Sequence, residues 1–178
     1  QGRRDQERTQ FHAGTDKDSS GMLLSYVNQK QISETLSESR SFMLNESSMD
    51  RKGTELLSFQ TVEKTDANTS TTKTYKLNED HTAPSEDHQL LSYGIQIQQD
   101  KNTTEIKTYQ LNEGMTDILP SGKLLSDVLQ VRVTPDLMQT KTLMLNSDQT
   151  GPDENGQLRS FQEREWKDGQ SAEVRGYF

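Results

Sequence analysis

The chain contains no cysteine, so disulfides and thiolate chemistry are both excluded. Apolar residues are scarce as well. They make up 28% of the chain and the mean hydropathy is -0.99, whereas ordinary domains reach about 45–50% on a count that includes Gly. A large apolar core is therefore excluded, and stability has to come from backbone pairing, narrow apolar stripes or a partner. Low apolar content together with a net charge of -8 also makes a largely disordered chain the alternative to be tested, because such a chain buries little to offset its ordering entropy.

Long apolar runs are missing too. Nothing approaches the roughly 20 residues that a bilayer crossing needs, so no transmembrane segment is expected. There is no hydrophobic leader core at the start, and the chain begins Gln1-Gly2-Arg3-Arg4 without Met, as expected of a mature chain from which a leader has been removed. Twenty basic residues are dispersed among 28 acidic ones with no basic stripe, which argues against nucleic acid and anionic membrane surfaces as partners.

What the chain does have is a repeat of about 34 residues. A Leu-Leu-Ser-aromatic box occurs as Leu23-Leu24-Ser25-Tyr26, Leu56-Leu57-Ser58-Phe59 and Leu90-Leu91-Ser92-Tyr93, then as Leu124-Leu125-Ser126-Asp127 and Leu158-Arg159-Ser160-Phe161. Successive boxes are spaced 33, 34, 34 and 34. A second marker keeps the same step: Phe42-Met43-Leu44-Asn45, Tyr75-Lys76-Leu77-Asn78, Tyr109-Gln110-Leu111-Asn112 and Leu143-Met144-Leu145-Asn146. The period resembles that of helical tetratricopeptide repeats, but these copies are dense in Thr, Ser and Asn and nearly lack Ala, which good helices require.

Alternation points to strands instead, as in Leu91, Tyr93, Ile95 and Ile97, and again in Leu125, Leu129, Val131 and Val133. Asp66-Ala67-Asn68, Asp100-Lys101-Asn102, Thr134-Pro135-Asp136 and Asp168-Gly169 are turn sequences that make each copy a β-hairpin. Gly53, Pro84, Pro120-Ser121-Gly122, Gly151-Pro152 and Asn155-Gly156 mark longer loops between copies. The expected fold is all-β: hairpin repeats 23–55, 56–89, 90–123 and 124–157 with a partial copy 158–178, in a meander, solenoid-like or single-layer sheet, or a meander barrel. Residues 1–22 read as a polar arm, flexible unless a partner orders it.

The expected repeat core comprises Leu24, Tyr26, Leu57, Phe59, Leu91, Tyr93, Leu125 and Phe161 from the first box, where the second Leu and the aromatic point inward. Phe42, Leu44, Tyr75, Leu77, Tyr109, Leu111, Leu143 and Leu145 complete it from the second marker. No catalytic, cofactor or metal site is expected. His12, His81 and His88 form no helical pair, the recurrent Ser25, Ser58, Ser92, Ser126 and Ser160 lack a nucleophile elbow, and no phosphate-binding glycine loop occurs. Glu46, Glu79 and Glu113, with Asp80 and Asp148, offer too few carboxylates for calcium, and the adjoining Asn residues suit turn stabilisation.

Sequons at Asn45, Asn68 and Asn102 are candidate glycosylation sites and favour the secretory route. The expectation is a secreted, extracellular, non-enzymatic structural protein that associates with itself, as a homo-oligomer or filament, or with another extracellular protein. The alternatives are a barrel carrier of a small apolar ligand and a disordered substrate for crosslinking through Gln and Lys. Because a lone hairpin is marginal in water, residues 90–123 alone should be unstructured while residues 23–178 keep their β content, as circular dichroism of the two fragments would show.

Overall fold

The computed structural model describes residues 7–10, 25–43, 55–166 and 172–177, and these described residues form β-strands and no helix. The strands are β1 (Glu7–Gln10), β2 (Ser25–Gln31), β3 (Leu36–Met43), β4 (Glu55–Lys64), β5 (Thr69–Tyr75) and β6 (Leu90–Gln98). They continue as β7 (Thr103–Tyr109), β8 (Leu124–Thr134), β9 (Leu137–Leu143), β10 (Leu158–Trp166) and β11 (Ala172–Tyr177). Sheet order equals chain order, an antiparallel meander in which β1 and β11 each have one neighbour. The chain divides into two units, one of residues 1–65 and 72–91 and the other of residues 66–71 and 92–178.

The first strand lies within the expected polar arm: residues 7–10 pair with β2, Glu7 opposite Lys30 and Gln10 opposite Val27. Such a segment needs no core of its own, since the backbone groups of β2 supply its partners.

The Leu-Leu-Ser-aromatic boxes begin strands, but not with the expected face inward. In a regular strand residues two apart share a face, which put the second Leu with the aromatic. The structure reverses this. Leu56, Leu90 and Leu124 are each 1% exposed, whereas Leu57, Leu91 and Leu125 are 43%, 63% and 56% exposed. At Leu56 and Leu124 the cause is a β-bulge. Phe42 pairs with Leu56 and Ser41 with Ser58, so Leu57 is left without a partner. Tyr109 pairs with Leu124 and Thr108 with Ser126, which does the same to Leu125. In the last box Leu143 pairs with Leu158 and Thr142 with Ser160, and the bulged residue is Arg159. One extra residue shifts the alternation, so that the first Leu and the box aromatic, three apart, lie on one face. The recurrent Ser then faces the other way, opposite Ser41, Thr108 or Thr142. Val133, expected to continue the apolar face, occupies a further register shift and is likewise exposed.

Aromatics of the two markers meet within each unit. Phe59 is buried, with its ring 5.5 Å from that of Tyr75, and Tyr93 meets Tyr109 edge-on at 6.1 Å. Phe161 is half-buried. Phe42 and Leu143 end their strands half-buried. Leu77, Leu111 and Leu145 lie beyond the strands, in isolated bridges to Pro84, Ile118 and Pro152. Tyr26 lies on β2 opposite Phe42. Leu24, Leu44, Asn45 and the Asp168-Gly169 turn lie outside the described residues.

So polar a sheet needs more than these few apolar contacts, and the second unit supplies rows of amides and hydroxyls. Gln98, Thr104, Gln130, Thr140 and Gln162 stand opposite one another in one row across five strands. Thr104 Oγ1 donates to Gln98 Oε1 at 3.1 Å, the kind of cross-strand pairing that steadies a sheet. The bulge makes a sharp expectation for adjacent leucines. Leu124→Ala should cost about 2–5 kcal/mol and Leu125→Ala less than about 0.5 kcal/mol, measured by urea unfolding. Equal losses in both variants would contradict the bulged register.

Candidate functional site

Hairpin tips and loop ends are built from the same polar devices in successive copies. At the tips, Asp66 Oδ1 accepts the N–H groups of Asn68 and Thr69, both at 2.8 Å. Asp100 Oδ1 does likewise with Asn102 and Thr103, at 2.7 and 2.9 Å. In the first and fourth copies hydroxyls take the role: Ser33 Oγ accepts from Leu36 and Thr134 Oγ1 from Asp136. Each tip is also tied to the strand that follows. The carbonyls of Thr35, Asn68, Asn102 and Asp136 accept from the N–H groups of Lys64, Gln98, Arg132 and Trp166. Asn68 and Asn102, two of the sequon residues, are exposed at these tips.

At the opposite strand ends, Asn78, Asn112 and Asn146 organise the loops. Their Oδ1 atoms accept the N–H of Thr82, Thr116 and Thr150 at 2.9, 3.0 and 2.9 Å, and their Nδ2 groups donate to the same threonine hydroxyls. The loop then takes two left-handed residues: His81, Met115 or Gln149 first, and His88, Gly122 or Gly156 second. Four of these six are not glycine, so surrounding hydrogen bonds must hold the conformation against its steric cost. For two of the first set the reason is visible: the His81 carbonyl receives the N–H of buried Leu56, and the Gln149 carbonyl that of buried Leu124. The loop thereby clamps the start of its own copy. Glu79, Asp80, Glu113 and Asp148 are exposed in these loops, and among the described residues no group of three or more acidic or His side chains gathers as a metal site would.

Between the exposed box leucines of the first unit lies a groove of about 320 Å³, lined by Leu57, Leu77 and Leu91 with Thr74, Tyr75 and His81. In the second unit the cluster with the most chemical potential is buried, and sequence reading missed it. A cation stands across from the box aromatic in two copies: Arg40 opposite Phe59, with its guanidinium 5.3 Å from the ring, and Lys141 opposite Phe161. In the fourth box the aromatic is replaced by Asp127, and Lys107 stands opposite it. Lys107 Nζ lies 2.9 Å from Glu105 Oε1 on the same strand, and Gln99 donates to Glu105 Oε2 at 3.2 Å. Glu105 is 9% exposed and Asp127 is 0% exposed. Neither carboxylate oxygen of Asp127 has a hydrogen-bond partner.

Burial, and then the charge of Glu105, push the Asp127 carboxyl above its ordinary value, against the pull of Lys107. Burial works against the Lys107 ammonium, but its hydrogen bond to Glu105 and the charges of Glu105, Asp127 and Tyr109 hold it above the ordinary 10.5. The one signal in the sequence was the lone Asp in a position otherwise aromatic. No family model, curated protein or solved structure matches the chain.

The tip carboxylates carry a pH dependence with a definite sign. The backbone N–H of Asn68 holds Asp66, and that of Asn102 holds Asp100, below the ordinary 3.8, in each case with help from the following Thr. A lowered folded value contributes stability above 3.8 that is lost as the pH falls through the folded value. The double variant Asp66→Asn/Asp100→Asn should therefore melt below the native chain at neutral pH, with the gap closing in strong acid. A gap that stays constant or widens on acidification would show that these carboxylates do not stabilise the turns.

Proposed function

We propose that this is a secreted, non-enzymatic structural protein whose repeats present a sheet surface for association with further copies of itself. The observation that carries the reading is the solvent-exposed leucine placed by the box in three successive copies, Leu57, Leu91 and Leu125. A monomer gains nothing from holding a large apolar side chain in water at the same position of three successive repeats, and exposed apolar side chains are what an association surface requires. Half-exposed strands with Thr, Ser and Gln on their faces also suit strand-to-strand contact, in which backbone groups supply affinity. On this reading the exposed tips Asn68 and Asn102 would carry glycans at one end of the strands, leaving the leucine end open for contact.

Association should be visible by sedimentation and negative-stain microscopy of the full chain at high concentration. The triple variant Leu57→Ser/Leu91→Ser/Leu125→Ser should remain folded by circular dichroism and lose self-association. A native chain that stays monomeric at high concentration, or a triple variant that associates as strongly as the native one, would overturn the reading.

A further inference from the structure

The buried cluster on β7 and β8 poses a physical problem that an ordinary ion pair does not solve. Lys107 and Asp127 are direct cross-strand partners, and Glu105, two residues before Lys107, projects on the same face. Lys107 Nζ is bonded to Glu105, not to Asp127, so a fully buried carboxyl group is left with no donor for either oxygen. Such a group is strongly disfavoured as an anion. Elsewhere the equivalent position carries Tyr26, Phe59, Tyr93 or Phe161, so replacing an aromatic by an acid here, opposite a lysine, gains nothing in packing.

We propose that Lys107 and Asp127 become joined by an intramolecular isopeptide bond, with Glu105 as the proton-transfer group. The reacting forms are an ammonium at Lys107, a carboxylate at Glu105 and a neutral carboxylic acid at Asp127. The Lys107 ammonium passes a proton to Glu105 across the 2.9 Å contact, leaving an amine lone pair. That pair attacks Asp127 Cγ, and the C–N bond forms as the carbonyl π pair moves onto oxygen. Glu105 gives its proton to the departing hydroxyl and takes one from the attacking nitrogen. The C–O bond breaks, the carbonyl re-forms, and water leaves. The products are a secondary amide, one water and Glu105 holding the remaining proton, with no oxidant or co-reactant consumed.

Each requirement of the step has its counterpart here. Burial of Asp127, with neither oxygen hydrogen-bonded, shifts its carboxyl toward the neutral form that accepts a nucleophile. The Glu105 bond that holds Lys107 protonated is also the route by which the proton departs. Register brings amine and carboxyl together without loop movement, since facing residues on antiparallel strands have Cβ atoms about 4.5–5.5 Å apart. The bond would tie the third copy to the fourth covalently, in a chain that has no cysteine to do so. It stands independently of whether the protein self-associates.

Intact-mass measurement of the purified full chain tests the proposal directly. The chain should be lighter than its sequence by one water, and proteolysis followed by fragmentation should yield a branched peptide linking Lys107 to Asp127. Lys107→Arg and Asp127→Ala, each checked for β content by circular dichroism, should restore the full sequence mass. Glu105→Gln should leave most of the chain unlinked. A native chain at full sequence mass, or one whose missing water maps to another residue, would overturn the proposal and leave a buried ion cluster. Full linkage in Glu105→Gln would overturn the role given to Glu105.

Discussion

The bulge that opens the boxes at Leu56, Leu124 and Leu158 is the constraint on which the rest of the arrangement depends. A sheet so poor in apolar residues cannot spread them over both faces, and two consecutive leucines would fall on opposite sides of a regular strand. Inserting one unpaired residue lets Leu56 join Phe59 on one face and puts Leu124 beside Asp127. The same insertion pushes Leu57 and Leu125 into solvent. One backbone irregularity thus creates both the buried anchor of a copy and the exposed apolar residue beside it.

Around these anchors the work of stabilisation falls on hydrogen bonds. Left-handed residues at His81 and Gln149 offer carbonyls to the buried leucines, and Asn78, Asn112 and Asn146 hold the loops that present them. Tip carbonyls receive an N–H from the next strand along, so a copy leans on its neighbour at one end and closes on itself at the other. This is the physical content of a nearest-neighbour array. Two aspartates at the tips favour neutral pH, whereas a buried Asp127 carrying a charge would oppose it. Converting that acid to an amide removes the opposition.

Exposed leucines and a covalent tie address different demands on a structural protein. In the functions proposed for them, the former would supply contact between molecules, and the latter resistance to separation of strands within one. Both arise within the same box, the exposed leucine at its second position and Asp127 at its fourth.

Period, strand content, hairpin turns and the polar character of the loops were all present in the sequence, because they follow from local pattern and turn chemistry. Asp66, Asp100 and the Leu-Asn marker could be read directly as turn-forming residues. Which leucine is buried could not, since alternation assumes an unbroken ladder and a bulge depends on pairing with another strand. The strand at residues 7–10 was equally hidden, being stabilised by the backbone of β2 and not by its own composition. The meeting of Glu105, Lys107 and Asp127 was decided by register alone: the acid and the lysine lie twenty positions apart in the chain and become neighbours only when β7 and β8 pair. Local chemistry chose the elements, and long-range hydrogen bonding chose their faces.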